Sequence, residues 1–235
     1  MINFAVGAIG LLIASIYDLK CREIEDYIWI SMVIFGFLYS GCLSFVFHDS
    51  IYVFQSFVGF IVCFFLGFFM FLLGMGGGDG KLLMGIGALV PKYGMPIYTP
   101  LGIILNYHPY IPSFPIMVII NAIFFSIVIP IIVFLKNIIR GVKPKTKKEF
   151  MCMFLGEKMR VSEAMKKERL ILGNQENLKL LPSAEEDYNF SNFDENEEIW
   201  VTPAIPFVVP MFLSYLITPI IGDKIIDVVL SLFGL

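Results

Sequence analysis

The chain has 235 residues, 57% of them hydrophobic and 16% charged, with a formal net charge of −3 and a mean hydropathy of +0.80. Values this high exclude an ordinary water-soluble domain. The apolar runs are unbroken rather than alternating, which excludes the strands of a membrane β-barrel and leaves an all-α polytopic membrane bundle.

Six spans are expected along the chain, with a small cytoplasmic α+β insert before the last. The first covers Ile2–Tyr17, the second Tyr27–Phe47 and the third Ile51–Leu73. The first lacks a charged leader and a small-residue cleavage site, so it reads as a retained helix. The fourth runs from about Lys81 to Leu105, and Pro91, Pro96 and Pro100 make it bent or broken. The fifth is Phe114–Leu135 and the sixth Ala204–Ile221; the tail Ile225–Leu235 is too short to cross and is expected along the interface. The division this gives is 1–135 as a membrane domain, 136–200 as a small cytoplasmic domain, and 201–235 as the last span with its tail.

Orientation follows the positive residues in the loops. Lys20 and Arg22 lie between spans one and two, Lys81 between three and four, and 12 of the 17 Lys and Arg residues between Lys136 and Lys179. With six spans these loops share one side, so the N-terminus is expected outside and the polar loops in the cytoplasm of a cell carrying the chain in its plasma membrane. His48 and His108 fall on the outer side. The insert begins basic at KNIIRGVKPKTKKEF, holds a strand-like stretch in MCMFLGEKMRVSEA and an apolar patch in KKERLIL, and ends acidic over Glu185–Glu198. That acidic run reads first as a solvated linker.

Cys21, Cys42, Cys63 and Cys152 show no CxxC spacing and read as free thiols. With two histidines and no HExxH, no metal or cofactor is expected.

Most acidic residues lie in the insert or in outer loops. Asp18, ending the first span, and Asp79, following the third within GMGGGDGK, are different. An ionisable residue at bilayer depth marks function. About 15 residues of helix cross most of the membrane, so both aspartates fall near its inner edge. Two carboxylates brought close share a proton, one activating water while the other polarises a carbonyl. Asp79, near a helix N-terminus, suits the base; Asp18, near a helix C-terminus, suits the proton holder. The two are expected apart until substrate binds. Gly76, Gly77 and Gly78 tolerate positive φ and close backbone approach, and are expected to turn the chain from one helix into the next and to leave room for a substrate backbone. Glu23, Glu25 and Asp26 are candidates for contacts to a basic peptide, as is Lys81, whose plainer role is to mark the cytoplasmic boundary.

GGGD at Gly76–Asp79, continued by GKLLMGIGALVP, resembles the GxGD signature of the type IV prepilin peptidases. YDLKCREIEDYIWI at Tyr17–Ile30 resembles the first-aspartate region of the same family. The layout is most similar to its archaeal preflagellin (prearchaellin) branch, since the paired CxxC motifs and N-terminal insert of bacterial members are missing. The resemblance implies an aspartic endopeptidase with Asp18 and Asp79 catalytic and no methyltransferase activity. It implies a preflagellin or pilin-like precursor as substrate, cut at the cytoplasmic face behind a short basic leader. Nucleic acid is not an expected partner. The same aspartates are also similar to those of presenilins and signal peptide peptidases, with TPAIP at Thr202–Pro206 a partial match to their PAL motif. A proton-coupled transporter is the alternative from another class; it would place its carboxylates near the midplane rather than at an edge.

Overall fold

The computed structural model describes residues 2–21, 23–72, 76–92, 111–166, 171–173, 178, 190, 193–194, 196–202, 207–232 and 234. Pro96, Pro100, His108, Arg22, most of Glu185–Glu198 and the TPAIP segment beyond Thr202 lie outside these. The chain divides into two compact units, one of residues 1–125 with 206–235 and one of residues 126–205.

In the first unit, α1 (Ile2–Cys21), α2 (Asp26–Phe47) and α3 (Ile51–Leu72) are each long and apolar enough to cross a membrane. So is the run Phe114–Ile139, built from α5 (Phe114–Ser126) and α6 (Val128–Ile139). Four candidate spans therefore stand among the described residues of this membrane protein.

The expected fourth span changes most. Its helix, α4 (Gly77–Leu89), starts four residues before the expected Lys81 and takes Gly77 and Gly78 into its first turn. Beyond Gly78 only Lys81 and Met84 are not buried. A helix enclosed on all sides needs small residues where neighbours approach. A Cβ on Gly67 would stand 2.7 Å from the Cα of Gly80, and a Cβ on Gly36 2.7 Å from the carbonyl carbon of Ala88. Ser56 donates to the Ala88 carbonyl at 2.6 Å. α3 and α2 thus press on α4 backbone to backbone.

α1 closes another side. Asn3 donates to the Leu89 carbonyl at 2.9 Å, tying the start of α1 to the end of α4. The core around it holds Phe4, Leu11, Met32, Leu82, Ile86, Phe114 and Tyr215. Phe4 and Tyr215 stack at 4.6 Å, and the Tyr215 hydroxyl donates to the Phe4 carbonyl at 3.1 Å. Tyr215 belongs to α9 (Val208–Ile221), 14 residues long and about 21 Å at 1.5 Å per residue, shorter than a full crossing. The expected tail forms α10 (Lys224–Leu232).

The second unit carries α6, α7 (Lys147–Leu155), β1 (Glu157–Arg160), α8 (Val161–Lys166), β2 (Ile171–Gly173) and β3 (Glu198–Val201). β3 is the central strand and pairs antiparallel with both others, Glu157 opposite Val201 on one side. Thr146 caps α7 by accepting from the Glu149 amide at 3.1 Å. Asn137 donates to the carbonyls of Met153 and Gly156, fixing α6 to the turn between α7 and β1. Trp200 is wholly buried at the centre of this small core.

Candidate active site

One side chain sets the level of three helices. Met32 of α2 lies against both Gly10 and Gly85: a Cβ on Gly10 would be 2.6 Å from its Sδ, and one on Gly85 3.0 Å from its Cβ. Gly10, Met32 and Gly85 therefore occupy one layer. From there Asp18 is eight residues along α1, Asp79 six residues back along α4, and Asp26 six back along α2. At 1.5 Å per residue these are about 12, 9 and 9 Å toward the same end. The two aspartates expected at one depth lie at one end of the unit, within about 3 Å of each other along the helix axes.

Their settings differ. Asp18 sits in the last full turn of α1 and is half-buried, four residues past Ala14 and three past Ser15, both buried. Ser15 anchors this end by donating to the Leu11 carbonyl at 2.8 Å and to the Val208 carbonyl at 3.4 Å. Asp79 is 9% exposed. It is the third residue of α4, its amide donating to the Gly76 carbonyl at 3.2 Å. The N-terminal dipole of α4 favours a negative charge there.

The glycines beside Asp79 work differently from the expectation. None of Gly76, Gly77 and Gly78 has positive φ: Gly76 lies at φ −58° and ψ 133°, and the other two are helical. What they supply is space. Among the described residues a Cβ on Gly76 would meet only Asp79 Oδ2, at 3.5 Å. Gly78 is the tight one, since a Cβ there would stand 2.7 Å from Ile24 Cδ1.

Of the remaining candidates, Lys81 and Asp26 form an ion pair, and Asp26 Oδ1 also accepts from Trp29 Nε1 at 2.9 Å. Glu23 and Glu25 are exposed on the loop between α1 and α2. The Ile24 contact and the Asp26–Lys81 pairing join positions more than fifty residues apart and were not readable as pairs. The opposite charges at the two loop ends were the only signal.

Residues 5–135, which contain both aspartates and the glycine turn, match the type IV leader peptidase family. The chain belongs to that family. A leader peptidase of this family is a hydrolase of peptide bonds, and the chain is therefore a peptidase. It is 80% identical over 235 residues, the whole of both chains, to a preflagellin peptidase of Methanocaldococcus jannaschii. It is 53% identical over 227 residues to a preflagellin peptidase of Methanococcus maripaludis, covering 97% of this chain and 98% of the relative. A preflagellin peptidase of Methanococcus voltae is 47% identical over 234 residues, covering 99% and 100%.

Proposed function

We propose that this leader peptidase removes the short basic leader of a preflagellin or pilin-like precursor at the cytoplasmic face of the plasma membrane, using Asp18 and Asp79 as a water-activating pair. The observation that carries the reading is the placement of both carboxyls at one end of the helix bundle, level within a few ångströms along the helix axes. Relatives named preflagellin peptidase along the full chain supply the substrate class.

In this reading Asp79, ionised at the start of α4, takes a proton from water as that water attacks the scissile carbonyl. Asp18, protonated, donates to the carbonyl oxygen as it becomes tetrahedral. As the C–N bond breaks, the proton gathered by Asp79 passes to the departing amine and a hydroxyl of the tetrahedral intermediate returns its proton to Asp18, so the pair again holds one proton. Two like charges brought together cannot both be held cheaply, which keeps one proton on the closed pair. kcat/KM is then bell-shaped in pH, and its two limbs belong to the pair rather than to either residue.

The space beside Gly76 and Gly77 receives the substrate backbone, and Glu23 and Glu25 face its basic leader. Closure of the pair on substrate is part of the proposal, as is a topology with the N-terminus outside and residues 136–200 in the cytoplasm as a domain between membrane domain 1–135 and last span 201–235. The test is cleavage of a preflagellin by membranes holding wild type, Asp18→Asn or Asp79→Asn, with folding checked by thermal stability. Loss in both variants is expected. Near-normal cleavage by either one removes that aspartate from the mechanism.

A further inference from the structure

The two segments that carry the aspartates are fastened together by residues outside the pair. α1 ends at Cys21, three residues after Asp18, and α2 begins at Asp26. The short loop between them reaches α4 twice. Ile24 sits on Gly78, the residue before Asp79. Asp26 pairs with Lys81, two residues after Asp79. Trp29 Nε1 holds the Asp26 carboxylate from the next turn of α2, at 2.9 Å from the oxygen that Lys81 uses. Asp79 is thus bracketed on both sides in sequence by contacts to the loop that follows Asp18.

We propose that Asp26 and Lys81 are positioning residues that, with Ile24 against Gly78, hold the start of α4 in register with the end of α1 and so set the spacing of Asp18 and Asp79. This rests on the two-aspartate reading above. The physical need is plain. Two carboxylates at one site repel whenever both are ionised. The two residues stand on separate helices, so their spacing depends on the contacts that join those helices near the pair. An ion pair between the first residue of α2 and Lys81, two residues after Asp79, draws the start of α4 toward the segment that follows Asp18. Its side chains are 41% and 59% exposed, so it contributes little to global stability and can be lost without unfolding the unit. Its effect falls on geometry, and a displacement of about 1 Å at a reacting group costs up to about 100-fold in rate.

The experiment is steady-state cleavage of a preflagellin by the full chain in lipid, with Asp26→Asn, Lys81→Gln, the double variant, and the conservative Asp26→Glu and Lys81→Arg. Each neutral variant is expected to lower kcat about 10-fold or more with KM within about twofold. The double variant is expected to lose no more than either single one, because the pair acts as a unit. Asp26→Glu and Lys81→Arg are expected to keep most of kcat. A neutral variant with wild-type kcat overturns the proposal. So does a loss seen only in KM, which would make the pair a substrate contact, and so does a double variant whose loss is the product of the single ones.

Should a neutral variant fail to fold, the wild type decides alone. An exposed ion pair is screened as the Debye length falls from about 14 Å to about 4 Å between 0.05 and 0.5 M salt, and kcat at saturating substrate is expected to fall with it. A salt-independent kcat overturns the proposal. Asp79→Asn in the same assay separates the two claims. Cleavage by that variant ends the two-aspartate reading, whereas a dead Asp79→Asn beside normal clasp variants ends only the clasp.

Discussion

α3 and α4 pack against each other along their common length, yet they face opposite surroundings. α3 turns Phe57, Phe64, Phe65, Phe68 and Phe69 outward, while its glycines and Ser56, Cys63 and Met70 point to α4. α4 turns almost nothing outward and carries five glycines in 13 residues. Each glycine costs a lone helix about 1 kcal/mol relative to alanine, so α4 is a poor helix by itself and a stable one only inside this wall of neighbours. Bulky apolar side chains mark the helix that meets lipid. Small ones mark the helix that meets protein, and here that helix carries the buried carboxylate.

If that contrast is right, substitutions on α4 reach function and fold, while those on the outer face of α3 reach neither. The largest effect is expected at Asp79: Asp79→Asn should lower preflagellin cleavage about 10³-fold in a protein that still melts cooperatively. Next comes Gly80→Val, whose side chain has to displace the backbone of Gly67. It should cost about 3 kcal/mol, read as a lower melting temperature in detergent, whereas Phe65→Leu on the lipid-facing side should stay within about 0.5 kcal/mol. Equal melting temperatures for those two variants would break the comparison. Ser56→Ala sharpens it at a finer scale, since it removes only the bond to the Ala88 carbonyl and should cost about 0.6 kcal/mol.

The smallest test asks whether the same inside–outside contrast holds in the second unit. Burial pushes the Cys152 thiol up, and the Glu149 carboxylate beside it adds to the shift. Its thiolate therefore forms only at higher pH than an ordinary cysteine's. Cys21 is exposed. Alkylation at pH 8 should label Cys21 within minutes and Cys152 only after unfolding, and fast labelling of Cys152 in the folded protein would show that its core is open.

The long spans were legible because α1, α2 and α3 are unbroken apolar runs, and their bounds differ from the expected ones by a few residues at most. The start of α4 was not. GMGGGDGK reads as a turn from local propensity, and tertiary packing overrides it: Ile24 over Gly78 and Gly67 against Gly80 complete a helix that no propensity scale predicts. The same packing corrects the role of Gly76–Gly78, which admit close neighbours at ordinary negative φ rather than supply a left-handed turn. The common level of Asp18 and Asp79 was legible because both close an apolar run on the same side. Asp26–Lys81 was not, because short loops rich in charge offer many partners and the sequence gives no distance between them. In the insert the strand-like stretch was visible as β1, the apolar patch at KKERLIL runs into β2, and β3 became a strand only through pairing with both of them.

The contact of Gly67 with Gly80 has a mechanical side. Between most helices a layer of side chains absorbs small shifts by changing rotamer. Here the backbones meet with nothing between them, one residue from Asp79. The joint has no slack under compression and no interlocking teeth to resist sliding. The carboxylate is therefore held at a fixed distance from the axis of α3, while its height along that axis is left to the contacts of Ile24 and Asp26.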